Sequence, residues 1–498
     1  MTDYSLNAPI AKALAASHYA SVRFHVPGHQ GRPPLGHFSP GVGLDWLAND
    51  LTELDTLDDL SHPSACVAES QKQTAHLYGV GHSFYLSGGS TLGLQAALLA
   101  LAKPNAKTSE VVLLPRTAHR AIVHGLVLTG ATPAWFFPQL NPHWGVWEGI
   151  ALKDVIKAHQ ANPNASGVVI PSPTYEGFGS DVKSIADYCQ QHNLWLVVDE
   201  AHGSLLPAYP RIKTANNTPV SATQTSATVV IQSLHKGAGA ITPAAIAHLP
   251  KQSTLSPQRF QQALNVLQTS SPSWPLLANS EACTLWLWTS QAQKHLERLI
   301  ETSHFQGGLV NRTQTGFEWY AASKSTHDPL AVLVRHQTLP PEVWACEIEA
   351  TLGIAYESLN THSALYKVGL GATCDDVTLL AKALLSYQPQ QELKDHVLLT
   401  QPFDAACLPN PIVAMSPREA WMMVLEAVPL SEAVGRIAAE TYAPCPPGIP
   451  LWVPGEQIQP QHLAFWDHLK PTGENDHSLQ SSAHDLPDVI VVNEGALR

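Results

Sequence analysis

Between residues 80 and 250 the chain alternates short, unbroken apolar runs with stretches that turn apolar at every third or fourth position. The runs Glu110–Leu114, Gly167–Pro171, Leu194–Asp199, Ala227–Gln232 and Ala244–His248 are predicted as strands. They lack a strict period of two, so both of their faces are expected to be covered. Thr91–Ala102 and Asp181–Gln191 are predicted as helices, the second with Val182, Ile185, Ala186 and Cys189 along one side. Strands separated by helices imply a mainly parallel sheet in an α/β domain, whose ligands bind outside the C-terminal strand ends. Ahead of this region Ile10–Ala15 carries a short helical pattern. Beyond residue 300 the pattern predicts a strand over Asp328–Arg335 and helices over Pro341–Leu352 and Asp375–Leu385. A third segment starts near 401, holds Ser416–Ala420 and Cys445–Pro450, and closes with a strand over Leu486–Val492. The division expected is a helical segment at 1–20, a major domain at 21–300, a small α+β domain at 301–400 and a C-terminal domain at 401–498.

Composition narrows the partners. A chain of 498 residues is too long for one ordinary core, and its 44% hydrophobic content describes a soluble globular protein. A net charge of −13 argues against nucleic acid or anionic membrane as partners. Cys66, Cys189, Cys283, Cys346, Cys374, Cys407 and Cys445 are scattered without ligand spacing and read as reduced residues of a cytoplasmic protein. The 25 histidines form no His-Glu-x-x-His or comparable cluster, so no metal is expected. No apolar stretch is long enough to span a membrane, and the N-terminus lacks a signal pattern.

The chemistry gathers at strand ends. Lys236, in Gln232-Ser233-Leu234-His235-Lys236, follows the apolar run Ala227–Ile231. A lysine there is costly unless something uses it, and desolvation can make its amine nucleophilic enough to form a Schiff base. Taken alone, the same residues also suit a lysine snorkelling beside a loop histidine. Leu86-Ser87-Gly88-Gly89-Ser90-Thr91 opens a helix, where glycines, hydroxyls and a helix N-terminus suit one phosphate group or a plain N-cap. Asp199, in Val198-Asp199-Glu200-Ala201-His202-Gly203, can hold a ring nitrogen protonated or merely cap a helix. His119, in Arg116-Thr117-Ala118-His119-Arg120, can stack on a planar ring or serve only its loop. Pro171–Gly177 closes another strand in a polar turn. Together a lysine, a carboxylate, a stacking ring and a phosphate loop describe pyridoxal 5′-phosphate. Lys236 takes the aldehyde, Asp199 faces the pyridine nitrogen, and Ser90, Thr91 and Ser233 take the phosphate.

These residues resemble the bacterial Orn/Lys/Arg decarboxylases of fold type I. The likeness runs from about Phe24 to Glu456 and rests on Phe24–His29, Asp50–Leu54 with Leu57-Asp58, Arg116–Pro133, Ser172–Gly177, Val198–Gly203, Gln232–Lys236 and Leu267–Pro272. Further markers are Pro417–Ala420, Val428–Leu430, Gly435–Ile437, Pro446–Pro450 and Pro454–Glu456. The resemblance implies a major domain with a mainly parallel seven-stranded sheet between helices, followed by smaller α+β C-terminal domains. It implies His119 over one cofactor face, Ala201 against the other, and Ser90, Thr91, Ser233 and His235 around the phosphate, with His202 nearby. Thr269 and Ser270 would reach the phosphate from the neighbouring subunit, which implies a homodimer. No wing domain precedes Phe24, so the chain is similar to the shorter members and ring-shaped assemblies are not expected. Four departures bear on substrate choice and rate: Gln30 for lysine, Gly88 for asparagine, Gly237-Ala238-Gly239 for Thr-Leu-Pro, and Cys445 for an aromatic residue.

The implied reaction is α-decarboxylation of a basic amino acid, arginine ahead of lysine and ornithine, with Lys236 or His235 as proton donor. Glu53, Glu176 and Glu456 are the candidates for the substrate's distal cation. Proton consumption suits acid tolerance as well as polyamine synthesis. A same-fold aminotransferase or aldolase, or a regulatory relative that only binds the cofactor, would share Lys236 and Asp199.

Overall fold

A computed structural model describes residues 7–17, 23, 25–27, 29–30, 44–103, 110–322, 326–389, 409–443, 450–463, 488–493 and 495. Phe24, Gly28, Cys407, Cys445, Pro446–Ile449, Leu486 and parts of the 1–20 segment lie outside the described residues.

The first strands are β1 (His82–Leu86), β2 (Val111–Pro115) and β3 (Thr132–Phe136), then the short ribbon of β4 (Leu140–Asn141) and β5 (Val146–Trp147). With β6 (Ala165–Pro171), β7 (Trp195–Asp199), β8 (Val229–Ser233) and β9 (Ala245–Leu249), a seven-stranded sheet forms in the order β1-β9-β8-β7-β6-β2-β3. β2 pairs in parallel with β3 and β6, and β7 with β8. β9 is reversed, antiparallel to both β1 and β8. Its direction follows from its connection. Only a four-residue helix, Leu234–Gly237, lies between β8 and β9, too little for the crossover that a parallel return requires. Every residue of β8 and β9 is buried, which is why neither shows alternation in the sequence.

Packing divides the chain into two compact units: Met1–Leu101, Val182–Ile300 and Gly369–Ala372 in the first, and Ala102–Asp181, Glu301–Val368 and Thr373–Arg498 in the second. In the first unit the helix Gly89–Leu101 is apolar nearly all round and packs on β8, β9 and the helix Pro257–Leu267. Gly93 allows that approach, since a Cβ there would meet Leu86 Cδ1 at 2.5 Å. The helix Val182–Gln191 buries Val182, Ile185, Ala186 and Cys189, the side its sequence predicts. Several elements of this unit carry no prediction from the sequence, among them the helix Cys66–Tyr78, β1 and the helices Pro257–Leu267 and Trp274–Trp286. The helix Cys66–Tyr78 is anchored by Asp58, which accepts N–H bonds from Ser64, Ala65, Val67 and Ala68.

The second unit holds an antiparallel sheet of β10 (Phe317–Trp319), β11 (Ala331–His336), β12 (Ser358–Leu359) and β13 (Ser363–Lys367), in the order β10-β11-β13-β12. The helix Pro341–Leu352 falls where its sequence predicts. Cys374–Ser386 is one residue longer at each end than expected, its start set by a Thr373–Asp376 capping box. β14 (Leu425–Pro429) and β15 (Asp488–Val492) pair over a core of Trp147, Leu430, Leu451, Trp452, Val489 and Val491. No helix among the described residues is long and apolar enough to cross a membrane.

Candidate active site

Sheet register fixes which strand ends meet in the first unit. Leu86, the last residue of β1, and Ser233, the last of β8, both stand opposite Ala245 of β9. Adjacent strands lie about 4.8 Å apart, so the Ser87–Thr91 turn and the start of the Lys236 helix are about 10 Å apart at one edge. On the other side of β8, Asp199 stands opposite Ile231. Ser90, Thr91, Asp199, Ala201, His202, Ser233, His235 and Lys236 therefore belong to one edge of one unit.

β8 is wholly buried, but Lys236 is not. The helical turn buries Leu234 and leaves His235 half-buried and Lys236 exposed. The burial expected of this lysine from the sequence is therefore not seen. Its neighbour is His202, whose Nε2 lies 2.9 Å from Lys236 Nζ. His235 holds its Nδ1 to the Ala244 carbonyl at 2.9 Å, which leaves Nε2 as its outward atom. Gly237 has a steric reason: a threonine there would bring its Cβ to 2.8 Å from Ser204 Oγ. Gly239 sits at φ +80°, where a side chain is strained.

Asp199 is half-buried and accepts the Ala201 N–H at 3.1 Å. Beside it Glu200 is fully buried and accepts from Ser221 Oγ at 2.6 Å, the Ala222 N–H at 2.7 Å and Gln232 Nε2 at 3.0 Å. This carboxyl ties the end of β7 to the end of β8. Burial pushes it up to about 8, against the pull of its three donors.

At the β1 end, Gly89 adopts φ +74° and begins a 13-residue helix, whose first N–H groups have no partner within the helix. Ser90 is half-buried and Thr91 exposed. Gln268 Oε1 accepts the Ser87 N–H at 3.0 Å, so the Thr269–Ser270 corner borders this turn. Both corner residues are exposed, and Thr269 Oγ1 accepts the Ser271 N–H at 3.0 Å.

The second unit carries His119. It is exposed and caps the helix Arg120–Thr129, its Nδ1 accepting the Ala121 N–H at 3.2 Å, so the neutral ring bears its proton on Nε2. Among the distal-cation candidates, Glu456 already has a cationic partner. It is 1% exposed, and Arg116 holds both its oxygens, at 2.7 and 2.8 Å. The Val453 N–H adds a third bond, to Oε2, at 3.0 Å, so the carboxylate is buried and paired within its own unit. Glu176 is half-buried; burial raises its carboxyl, while the Thr174 hydroxyl and Lys367 draw it back. Glu53, in the first unit, is exposed, and partial burial and the adjacent Asp59 both raise it. The sequence reading missed three partnerships: Glu200 with Gln232, Arg116 with Glu456, and His29 with Asp50 at 3.0 Å. Arg116 had a signal, a charge straight after an apolar strand, the same one that drew attention to Lys236.

Pyridoxal 5′-phosphate suits the residues present. Ser233 Oγ is buried without a hydrogen-bond partner and does not cap its own helix, so a phosphate oxygen would satisfy it. The Gly89 turn offers backbone N–H groups to the same anion. Lys236 is open to an aldehyde. Among the described residues no group of His, Cys, Asp and Glu could hold a metal ion.

Residues 8–336 match the major domain of the Orn/Lys/Arg decarboxylases, and residues 400–487 match their C-terminal domain. The chain is 30% identical over 465 residues to an arginine decarboxylase of Halalkalibacterium halodurans, covering 91% of each. It is 29% identical to an arginine decarboxylase of Bacillus subtilis, covering 89% of each. Lysine decarboxylase A of Pseudomonas aeruginosa shares the fold, with a TM-score of 0.80 and 20% identity over 98% of this chain and 81% of that one.

Proposed function

Because the chain belongs to the Orn/Lys/Arg decarboxylase family, we propose that it removes the α-carboxylate of a basic amino acid, arginine first, with pyridoxal 5′-phosphate held on Lys236. The observation that carries this is the shared edge of β1, β8 and β7, where register sets the Gly89 turn, the orphaned Ser233 hydroxyl, Lys236 and Asp199 side by side. When bound, the cofactor supplies an electron sink for the carbanion that carbon dioxide leaves behind.

The chain's own residues do the rest. Lys236 contributes the amine that binds the aldehyde. Asp199 keeps a proton on the ring nitrogen by a charge-assisted hydrogen bond, and Glu200 fixes the strand end that carries it. Ser233, Ser90, Thr91 and the Gly89 turn take the phosphate, with His235 Nε2 beside them. His119 would stack on one face of the ring, and Ala201 would lie against the other. Lys236 Nζ would return the proton to the substrate's α-carbon, and a His202 protonated at Nε2, 2.9 Å from that amine, would resupply it.

Glu456 and Glu176 already face Arg116 and Lys367, so Glu53 is the carboxylate we assign to the substrate's distal cation. Its neighbour is Asp59, and a guanidinium would relieve that like-charge contact. Arginine is preferred because the relatives of 29–30% identity are arginine decarboxylases. We also infer a homodimer in which the exposed Thr269 and Ser270 reach the neighbouring subunit's phosphate, working in the cytoplasm toward polyamine synthesis. Carbon dioxide release from arginine, lysine and ornithine tests the reading: arginine is expected to be fastest, and no release from any of the three overturns it.

A further inference from the structure

Two marker segments, Pro417–Ala420 and Pro454–Glu456, have no part in the cofactor set, yet the structure joins them within the second unit to a third, Arg116–Pro133, which carries His119. We propose that the C-terminal segment is a clamp that positions His119, gripping the turn before it and the helix after it. Arg116 and Glu456 on one side and Arg418 on the other act as positioning residues.

The first grip is the more complete. Arg116 donates from Nη1 and Nη2 to Glu456, from Nε to the Pro450 carbonyl at 3.0 Å and from Nη2 to the Leu451 carbonyl at 2.8 Å. Its guanidinium lies 4.8 Å from the Trp135 ring centroid, and its backbone N–H is held by the Phe136 carbonyl at 2.8 Å. The side chains of the pair are 3% and 2% exposed. From Arg116 the chain has little slack before His119: the Ala118 N–H bonds Pro115 at 2.9 Å, and His119 then starts its helix. At the far end, Arg418 Nε donates to the Val127 carbonyl at 2.7 Å, one of the acceptors a helix C-terminus leaves open. Its guanidinium lies against Gly130, the C-cap at φ +75°, where a Cβ would sit 3.2 Å from Nη1. The two grips are themselves linked, because the Ala414 N–H bonds the Gly455 carbonyl at 2.9 Å and Ser416 caps the helix that bears Arg418. A hook at each end fixes the helix axis and so the direction of its N-cap ring.

This inference rests on the assignment of His119 to the cofactor, and the test separates the two. Hydrogen exchange is followed over 116–130 in cofactor-free protein, and kcat and KM are measured in loaded enzyme. Glu456→Gln should raise exchange over 117–123 by about tenfold while the first unit is unchanged. Its kcat should fall by about tenfold or more with KM within about threefold. Arg418→Gln, a milder change at a half-buried side chain, should raise exchange over 124–130 by about threefold and serves if Glu456→Gln fails to fold. The double variant Arg116→Met/Glu456→Met should recover thermal stability but not kcat, since an apolar pair can replace a buried ion pair energetically without its directed bonds. Unchanged exchange over 116–130 in both single variants, a rise spread evenly over the protein, or recovery of kcat in the double variant would overturn the clamp. Normal kcat in His119→Gln alongside raised local exchange in Glu456→Gln would instead sink the cofactor assignment of His119.

Discussion

β8 and β2 both end in apolar, buried runs, and each is followed by a basic residue, Lys236 in one unit and Arg116 in the other. The sequence gives them similar signatures; their surroundings differ. Around Arg116 a carboxylate, two carbonyls and an aromatic face occupy the guanidinium, and the pair is shut away from water. Around Lys236 the amine is exposed, a buried serine hydroxyl lacks a partner and a helix N-terminus stands two strands away. A charged strand end is structural when its own chain satisfies it. Where a buried hydroxyl such as Ser233 Oγ is left without a partner, the chain is built for a ligand.

That contrast can be broken at several points. The largest effect is expected at Lys236: Lys236→Ala should lower carbon dioxide release by about 10³-fold or more and abolish the cofactor's absorbance, while melting temperature barely moves. Glu456→Ala should do the reverse in kind, destabilising the protein by about 3–5 kcal/mol in denaturant unfolding because it strands a buried guanidinium. Glu200 lies between the two cases, a satisfied group inside the ligand-binding unit. Its ordinary value is 4.5 and burial pushes it to about 8, so between those values the unfolded chain has lost a proton that the native chain keeps. Stability should therefore fall as pH rises from about 5 to 8, by a few kcal/mol, and Glu200→Gln should flatten that slope. The smallest effect concerns Glu53: Glu53→Gln should raise KM for arginine about tenfold with kcat within about twofold, as expected for one charge-assisted contact to the substrate.

Much of the first unit was legible in the sequence because buried parallel strands are written as continuous apolar runs. β7 and β8 were found to within two residues, and Val182–Gln191 was read down to its buried side. β9 was found but its reversal was not, since direction depends on the length of a connection rather than on a pattern. β1 and the helix Cys66–Tyr78 were missed; the helix carries polar residues such as Ser70, Gln71 and Thr74 on its buried side, which hides its amphipathic period. Lys236, Asp199 and the Gly89 turn could be nominated because strand-end chemistry is local. The pairing of Glu456 was not legible, because its partner, Arg116, is 340 residues away. No local pattern reports whether a carboxylate is already taken. The exposure of Lys236 was equally invisible, since it depends on which way one helical turn rotates.

Carbon dioxide release from arginine by purified protein loaded with pyridoxal 5′-phosphate, run beside Lys236→Ala, tests the assignment of Lys236 most directly. Steady release by the wild-type chain that disappears with the lysine is the predicted result. Release that survives Lys236→Ala, or a cofactor-loaded wild type that releases nothing from arginine, lysine or ornithine, would contradict it.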